Sequence, residues 1–256
     1  MGKSRNGKVA VGFTAVAFIL IMIAFTTPNW LETDGKLENP KFVRIGLWQV
    51  CFRGFEHPHH IYDTKFYGCW WVFEEEYYII HDFLLPGFFI ATQFFFTLCF
   101  TTLLVGGILT LMYTCCSRHH EKYQILLWTI GGNFGIGGLC GIIAVIIFGV
   151  NGDGRDWMPN WEHNDISWSY ALAVLGSFAL LTAGIFFLIE GRRYKKKMER
   201  ILNEEHKTNL LANPIHTVFS SRIYLLSTAF NILIRGSIEV LHIKQNCKYI
   251  YFTRHR

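Results

Sequence analysis

Four long runs without a single Asp, Glu, Lys, Arg or His dominate the chain: Val9 to Trp30, Phe83 to Cys116, Tyr123 to Asn151 and Ile166 to Ile189. Each exceeds the roughly 18 to 20 apolar residues that a helix needs to cross a bilayer core of about 30 Å. The pattern therefore predicts four transmembrane helices. Between the first two runs lies a long polar segment with stretches of a different kind. Val43 to Phe52 and Tyr67 to Phe73 are rich in β-branched and aromatic residues, which predicts two strands, and Gly54 and Pro58 punctuate the connection between them.

Composition agrees with the pattern. The chain has 256 residues, 51% hydrophobic and only 17% charged, which is unlike an ordinary soluble globule. The first run is too long for a cleavable signal peptide and its exit, Thr26-Thr27-Pro28-Asn29-Trp30, offers no small-x-small cleavage site, so it is expected to stay in the mature chain. Gly2 lacks the Ser or Thr that N-myristoylation needs at position 6, which is Asn.

Charge sets the expected orientation, because Lys and Arg close to span ends stay cytoplasmic. Lys3, Arg5 and Lys8 precede span one, and Arg192, Arg193, Lys195, Lys196 and Lys197 follow span four directly, where an anionic inner leaflet is their natural partner. The segments 29–82 and 152–165 are net acidic. The expected layout is cytoplasmic residues 1–8, spans at 9–27, 88–113, 125–150 and 168–189, outer loops at 28–87 and 151–167, an inner loop at 114–124 and a cytoplasmic tail from 190 to 256. Of seven cysteines, only Cys51 and Cys69 fall in an outer segment, so if this topology holds they are the expected disulfide. Cys99 and Cys140 lie within spans and read as packing residues. Cys115 and Cys116 form an adjacent thiol pair at the inner end of span two, where such a pair can be S-palmitoylated; two small interfacial residues are the alternative.

The ordered set Trp30, then Gly46-Leu47-Trp48, then Cys51 and Cys69 resembles the signature of the claudin family, in which a Trp is followed by Gly-Leu-Trp and two disulfide-forming cysteines in the first extracellular loop. The resemblance covers about residues 8 to 200. Within the family, the aromatic loop, Pro86-Gly87-Phe88-Phe89 and Gln93-Phe94-Phe95-Phe96 look most like the insect septate-junction members, the pasiflora proteins among them. It implies a left-handed bundle of four transmembrane helices carrying a small antiparallel extracellular sheet, with one strand from the second loop. It also implies a structural part in an occluding cell–cell junction of epithelia, at the lateral plasma membrane, with other junctional and claudin-like proteins as partners in cis or trans. An auxiliary subunit of an ion channel or receptor is the alternative, because channel-regulating proteins share the topology and signature. Trp30, Trp48, Trp70 and Trp71 are expected beneath the sheet at headgroup level.

Several features depart from the family pattern. Seventeen residues separate Cys51 from Cys69, the insert holds His57-Pro58-His59-His60, and Trp70 stands where ion-conducting claudins often carry a charge. The histidines read as a surface turn rather than a metal site. The chain ends Thr253-Arg254-His255-Arg256, not in the hydrophobic residue that PDZ scaffolds bind, and Ile223 to Ile234 is too short to span. No catalytic motif is present, Glu74-Glu75-Glu76 reads as a solvated acidic rim, and neither enzyme activity, a cofactor nor nucleic-acid binding is expected. Active transport is not expected either, since it needs ionisable groups at mid-membrane. Gln93 and Asn133 are expected to make interhelical hydrogen bonds, and Gly131/Gly135 and Gly137/Gly141 to let helices approach closely, within the bundle or between copies.

Overall fold

The computed structural model describes residues 3–56, 65–115, 122–154 and 157–212. The His57-Pro58-His59-His60 insert, Cys116 and everything after Ala212, including the segments 223–234 and 253–256, lie outside the described residues.

Helices α1 (Arg5–Thr26), α3 (Gly87–Cys115), α4 (Tyr123–Asn151) and α5 (Trp168–Ala212) form the bundle, and the short α2 (His81–Leu84) precedes α3. All four bundle helices are long and apolar enough to cross a membrane. Around the bundle α1 packs on α5, α5 on α4 and α4 on α3, with α1 meeting α3 to close the ring. Small side chains make the approach close. The buried seam of α1 is Gly7, Ala10, Thr14, Ala17, Ile21 and Ala24, spaced alternately by three and four residues, so one narrow stripe faces the partner. A methyl group on Gly184 of α5 would stand 2.9 Å from the Gly135 nitrogen and 3.0 Å from the Gly131 oxygen of α4. Gly137 and Gly141 likewise face Thr102, Ser177 and Cys99, so these glycines serve contacts inside the bundle. Ile108, Leu111, Ile136, Leu139 and Val150 point outward and are exposed, an apolar belt that suits hydrocarbon and not water.

Asn133 donates from Nδ2 to the Thr102 carbonyl at 2.7 Å, the expected bond between helices. Gln93 does otherwise: its Nε2 donates to the Leu47 carbonyl at 2.6 Å, tying a span to the loop above it.

Among the described residues, five strands form one antiparallel sheet at one end of the bundle: β1 (Leu31–Thr33), β2 (Phe42–Ile45), β3 (Gln49–Phe55), β4 (Phe66–Trp71) and β5 (Asn164–Ile166), in the order β4-β3-β2-β1-β5. The single strand expected over Val43 to Phe52 is two. Gly46-Leu47-Trp48 interrupts it with a tight turn, in which the Gly46 N–H donates to the Gln49 carbonyl at 2.8 Å. The fifth strand comes from the segment between α4 and α5, as the resemblance implies. Helix α5 also outruns its apolar stretch and stays helical to Ala212.

Candidate functional site

The site is the seat of the sheet on the bundle. Pro28 and Asn29 carry the chain out of α1 and place Trp30 where all the long helices converge. Its ring is fully buried, T-shaped against Phe96 of α3, Phe148 of α4 and Tyr170 of α5 at 5.1, 5.0 and 5.8 Å between centroids. Its Nε1 donates back to the Ala24 carbonyl of α1 at 2.8 Å. A large ring with one polar handle is what such a junction needs, because it fills the gap among four helix ends and satisfies an otherwise orphaned carbonyl. The Trp30 N–H donates to Ile45 and its carbonyl accepts from Ser167, so the same residue pairs with β2 and with the approach to α5.

Gly46-Leu47-Trp48 forms the second point of attachment. A Cβ on Gly46 would lie 2.4 Å from the Thr27 carbonyl oxygen and 2.6 Å from the Pro28 Cα, so only glycine lets this turn rest on the end of α1. Leu47 is fully buried and its carbonyl takes the Gln93 bond. The Trp48 ring tilts against Phe25 of α1 at 5.4 Å, and Phe25 in turn stacks on Phe100 of α3 at 4.2 Å. Residues of span and loop thus share one aromatic cluster.

Cys51 and Cys69 face each other across β3 and β4 and are bonded to each other. The bridge locks the outermost hairpin, whose ends are also joined by Lys65 Nζ and Glu56 Oε1 at 2.8 Å; that ammonium holds the Glu56 carboxyl below its ordinary pKa.

A family model described as PMP-22/EMP/MP20/Claudin tight junction matches residues 15–189. The chain belongs to the PMP-22/EMP/MP20/Claudin family. No curated protein matches it. Members of this family are structural membrane proteins, and the signature residues of this claudin-family chain have the structural tasks just described: Trp30 and Gly46-Leu47-Trp48 seat the sheet, and Cys51–Cys69 closes its edge hairpin.

Two of the four tryptophans expected under the sheet are elsewhere. Trp70 and Trp71 lie on the edge strand β4, 46% and 58% exposed, with Tyr67 and Phe73 exposed beside them. The reason is position: among the described residues β4 is the edge strand, pairs only with β3, and buries no side chain but that of Phe66. Glu74 and Glu75 are exposed, and Cys115 is an exposed free thiol at the far end of α3. Arg192, Arg193, Lys195, Lys196 and Lys197 continue α5 beyond the bundle, all solvent-facing.

Residues that sequence reasoning missed hold the two loops together. Asp34, just after β1, accepts at Oδ2 from His163 Nδ1 at 3.1 Å, and its N–H donates to the His163 carbonyl at 2.7 Å. The Lys36 backbone N–H bonding Oδ1 is the first cause, and His163 the second, of a carboxyl pKa lowered to about 2. Glu32 makes a similar bridge, accepting from Asn29 Nδ2 at 3.0 Å and Ser167 Oγ at 3.1 Å. Trp157 closes the set by packing on Phe88 and Phe89 at the start of α3. These partners lie more than a hundred residues apart in several cases, so no local pattern announces them.

Proposed function

We propose that this claudin-family protein is a structural component of an occluding cell–cell junction, of the insect septate-junction type, and that it helps limit passage of solutes between epithelial cells. The observation that carries the reading is the rigid sheet. It is tied to every long helix through Trp30, Gly46, Gln93 and Phe25, locked by a disulfide, and it presents an exposed aromatic edge at β4. A stiff platform with an exposed, aromatic-lined edge strand suits lateral or facing association with other junctional proteins. In this reading the sheet is extracellular, both termini are cytoplasmic, and the basic run that starts at Arg192 lies beneath the inner leaflet. Cys115 and Cys116 at that inner end are proposed sites of S-palmitoylation.

The apolar spans support assembly over transport. None carries an ionisable group at mid-membrane, and the polar side chains Gln93 and Asn133 are each committed to a backbone carbonyl. Immunolocalisation in a polarised epithelium tests the proposal. A lateral junctional band is the expected result, while diffuse staining coincident with a channel would replace it with the auxiliary-subunit reading.

A further inference from the structure

Helix α5 has 45 residues, about 67 Å at about 1.5 Å per residue, whereas a bilayer core is only about 30 Å thick. Its last uninterrupted apolar residue is Ile189. Continuing straight, Met198 stands about 13 Å and Leu202 about 20 Å past that point, beyond a headgroup layer of about 5 to 8 Å. Arg192 and Arg193 therefore pass through the headgroups, and the helix from Lys195 onward projects into water.

That projecting part is two-faced. Tyr194 still touches the bundle, its ring 5.0 Å from that of Tyr123. On the same side follow Met198, Ile201 and Leu202, at offsets of four, seven and eight residues, 38%, 45% and 58% exposed. Arg193, Lys196, Arg200 and Lys207 occupy the opposite side, with Lys195 and Lys197 flanking the stripe. Between Arg192 and Arg200 there are six basic residues and one acid, Glu199, which pairs with Lys195 at 3.8 Å. No Gly or Pro breaks the helix between Arg192 and Ala212.

A second copy is a poor occupant for this face. The three-and-four spacing that links Tyr194, Met198 and Ile201 arrives next at Glu205 and Thr208, so the apolar seam ends far short of the three to four heptads of a coiled coil. Two such arms would also set like charges side by side. The bilayer cannot cover the stripe unless the helix bends, and it is continuous. Charge complementarity leaves an acidic protein with an apolar groove.

We propose that residues 195–208 are a docking helix for such a partner: Met198, Ile201 and Leu202 enter its apolar groove, and its acidic rims meet Lys195, Lys197 and the basic face behind. The inference rests on the four helices crossing a bilayer and not on the junctional role.

The test uses the full chain in nanodiscs of zwitterionic lipid, with calcium-loaded calmodulin as the probe, because its groove is methionine-lined and acidic and takes one basic amphipathic helix. Saturable binding that disappears on chelating calcium is expected. The double variant Ile201→Asp with Leu202→Asp should weaken it at least about tenfold, as should Lys195→Glu with Lys197→Glu, whereas Trp71→Ala at the other end of the molecule should not. All of these side chains are exposed, and an unchanged elution volume checks that the variants fold. Absence of binding by the native chain, or binding indifferent to Ile201 and Leu202, would overturn the proposal. So would two alternative findings: a dimer that the double variant dissolves, or retention of the arm only by nanodiscs containing phosphatidylserine.

Discussion

Replacing Gly46 by Ala isolates the contact between the sheet and the first span. The added carbon would meet the Thr27 carbonyl oxygen at 2.4 Å and the Pro28 Cα at 2.6 Å, about 1 Å inside ordinary contact, and both obstacles are backbone. Neither can rotate away, so the β2–β3 turn must lift. Lifting strains the 2.9 Å bond from the Trp30 N–H to Ile45 and the 2.6 Å bond from Gln93 to Leu47. Overpacking costs about 1 to 3 kcal/mol, and leaving a buried amide short of its partner costs about 1 to 3 more, so a loss of about 3 kcal/mol is expected. At about 2 to 4 °C per kcal/mol, that lowers the midpoint of thermal unfolding by about 6 to 12 °C. The assay is tryptophan fluorescence of the detergent-solubilised protein during heating, because Trp30 and Trp48 lie at the contact. Gly107→Ala is the control: nothing lies within 4 Å of its new carbon, and alanine favours a helix over glycine by about 1 kcal/mol. A Gly46→Ala protein that unfolds within about 2 °C of the native one would refute the seating argument.

Cys51→Ser, Cys69→Ser and the double change should each cost about 3 kcal/mol in the same thermal assay, because each opens the same loop; additive losses would contradict the pairing. Trp30→Phe should cost about 1 to 3 kcal/mol through the unmet Ala24 carbonyl, read by chemical denaturation, while the ring contacts largely survive. Asp34 ionises more readily in the folded protein than in the unfolded chain, so its contribution is present above the unfolded pKa of 3.8 and is lost as pH falls toward about 2. Between pH 4 and pH 2 the native protein should therefore lose more thermal stability than Asp34→Asn, which should already be the less stable of the two at pH 7.

The helices were legible because a bilayer admits only long runs free of charge, and such runs leave an unmistakable trace. The seat of the sheet was legible in part. Trp30, Gly46-Leu47-Trp48 and the two cysteines stand in a telling order, but order does not say that Gly46 must lack a side chain because Thr27 lies against it. The break between β2 and β3 had only Gly46 to mark it, within a run from Val43 to Phe52 otherwise rich in β-branched and aromatic residues. Gln93 bonds elsewhere for a physical reason: a buried amide N–H donates to any well-placed carbonyl, and the one it meets belongs to Leu47, not to another helix. The exposure of Trp70 and Trp71 depends on which strand ends up at the sheet edge, a property of the whole topology. Asp34 and His163, 129 residues apart, illustrate the same limit. The extension of α5 left a trace that charge obscured, since helix formers run from Arg192 to Lys207 without a breaker.

Leakage of a bulky inert dextran across an epithelial sheet tests the barrier reading most directly. Epithelia depleted of the protein should pass more dextran between cells, and re-expression should restore exclusion. The Gly46→Ala form should fail to restore it, while neutralising Glu74 and Glu75 together should leave it nearly intact, because exposed acids contribute little to stability. Normal dextran exclusion in the depleted epithelium, together with an altered transmembrane current, would contradict the account.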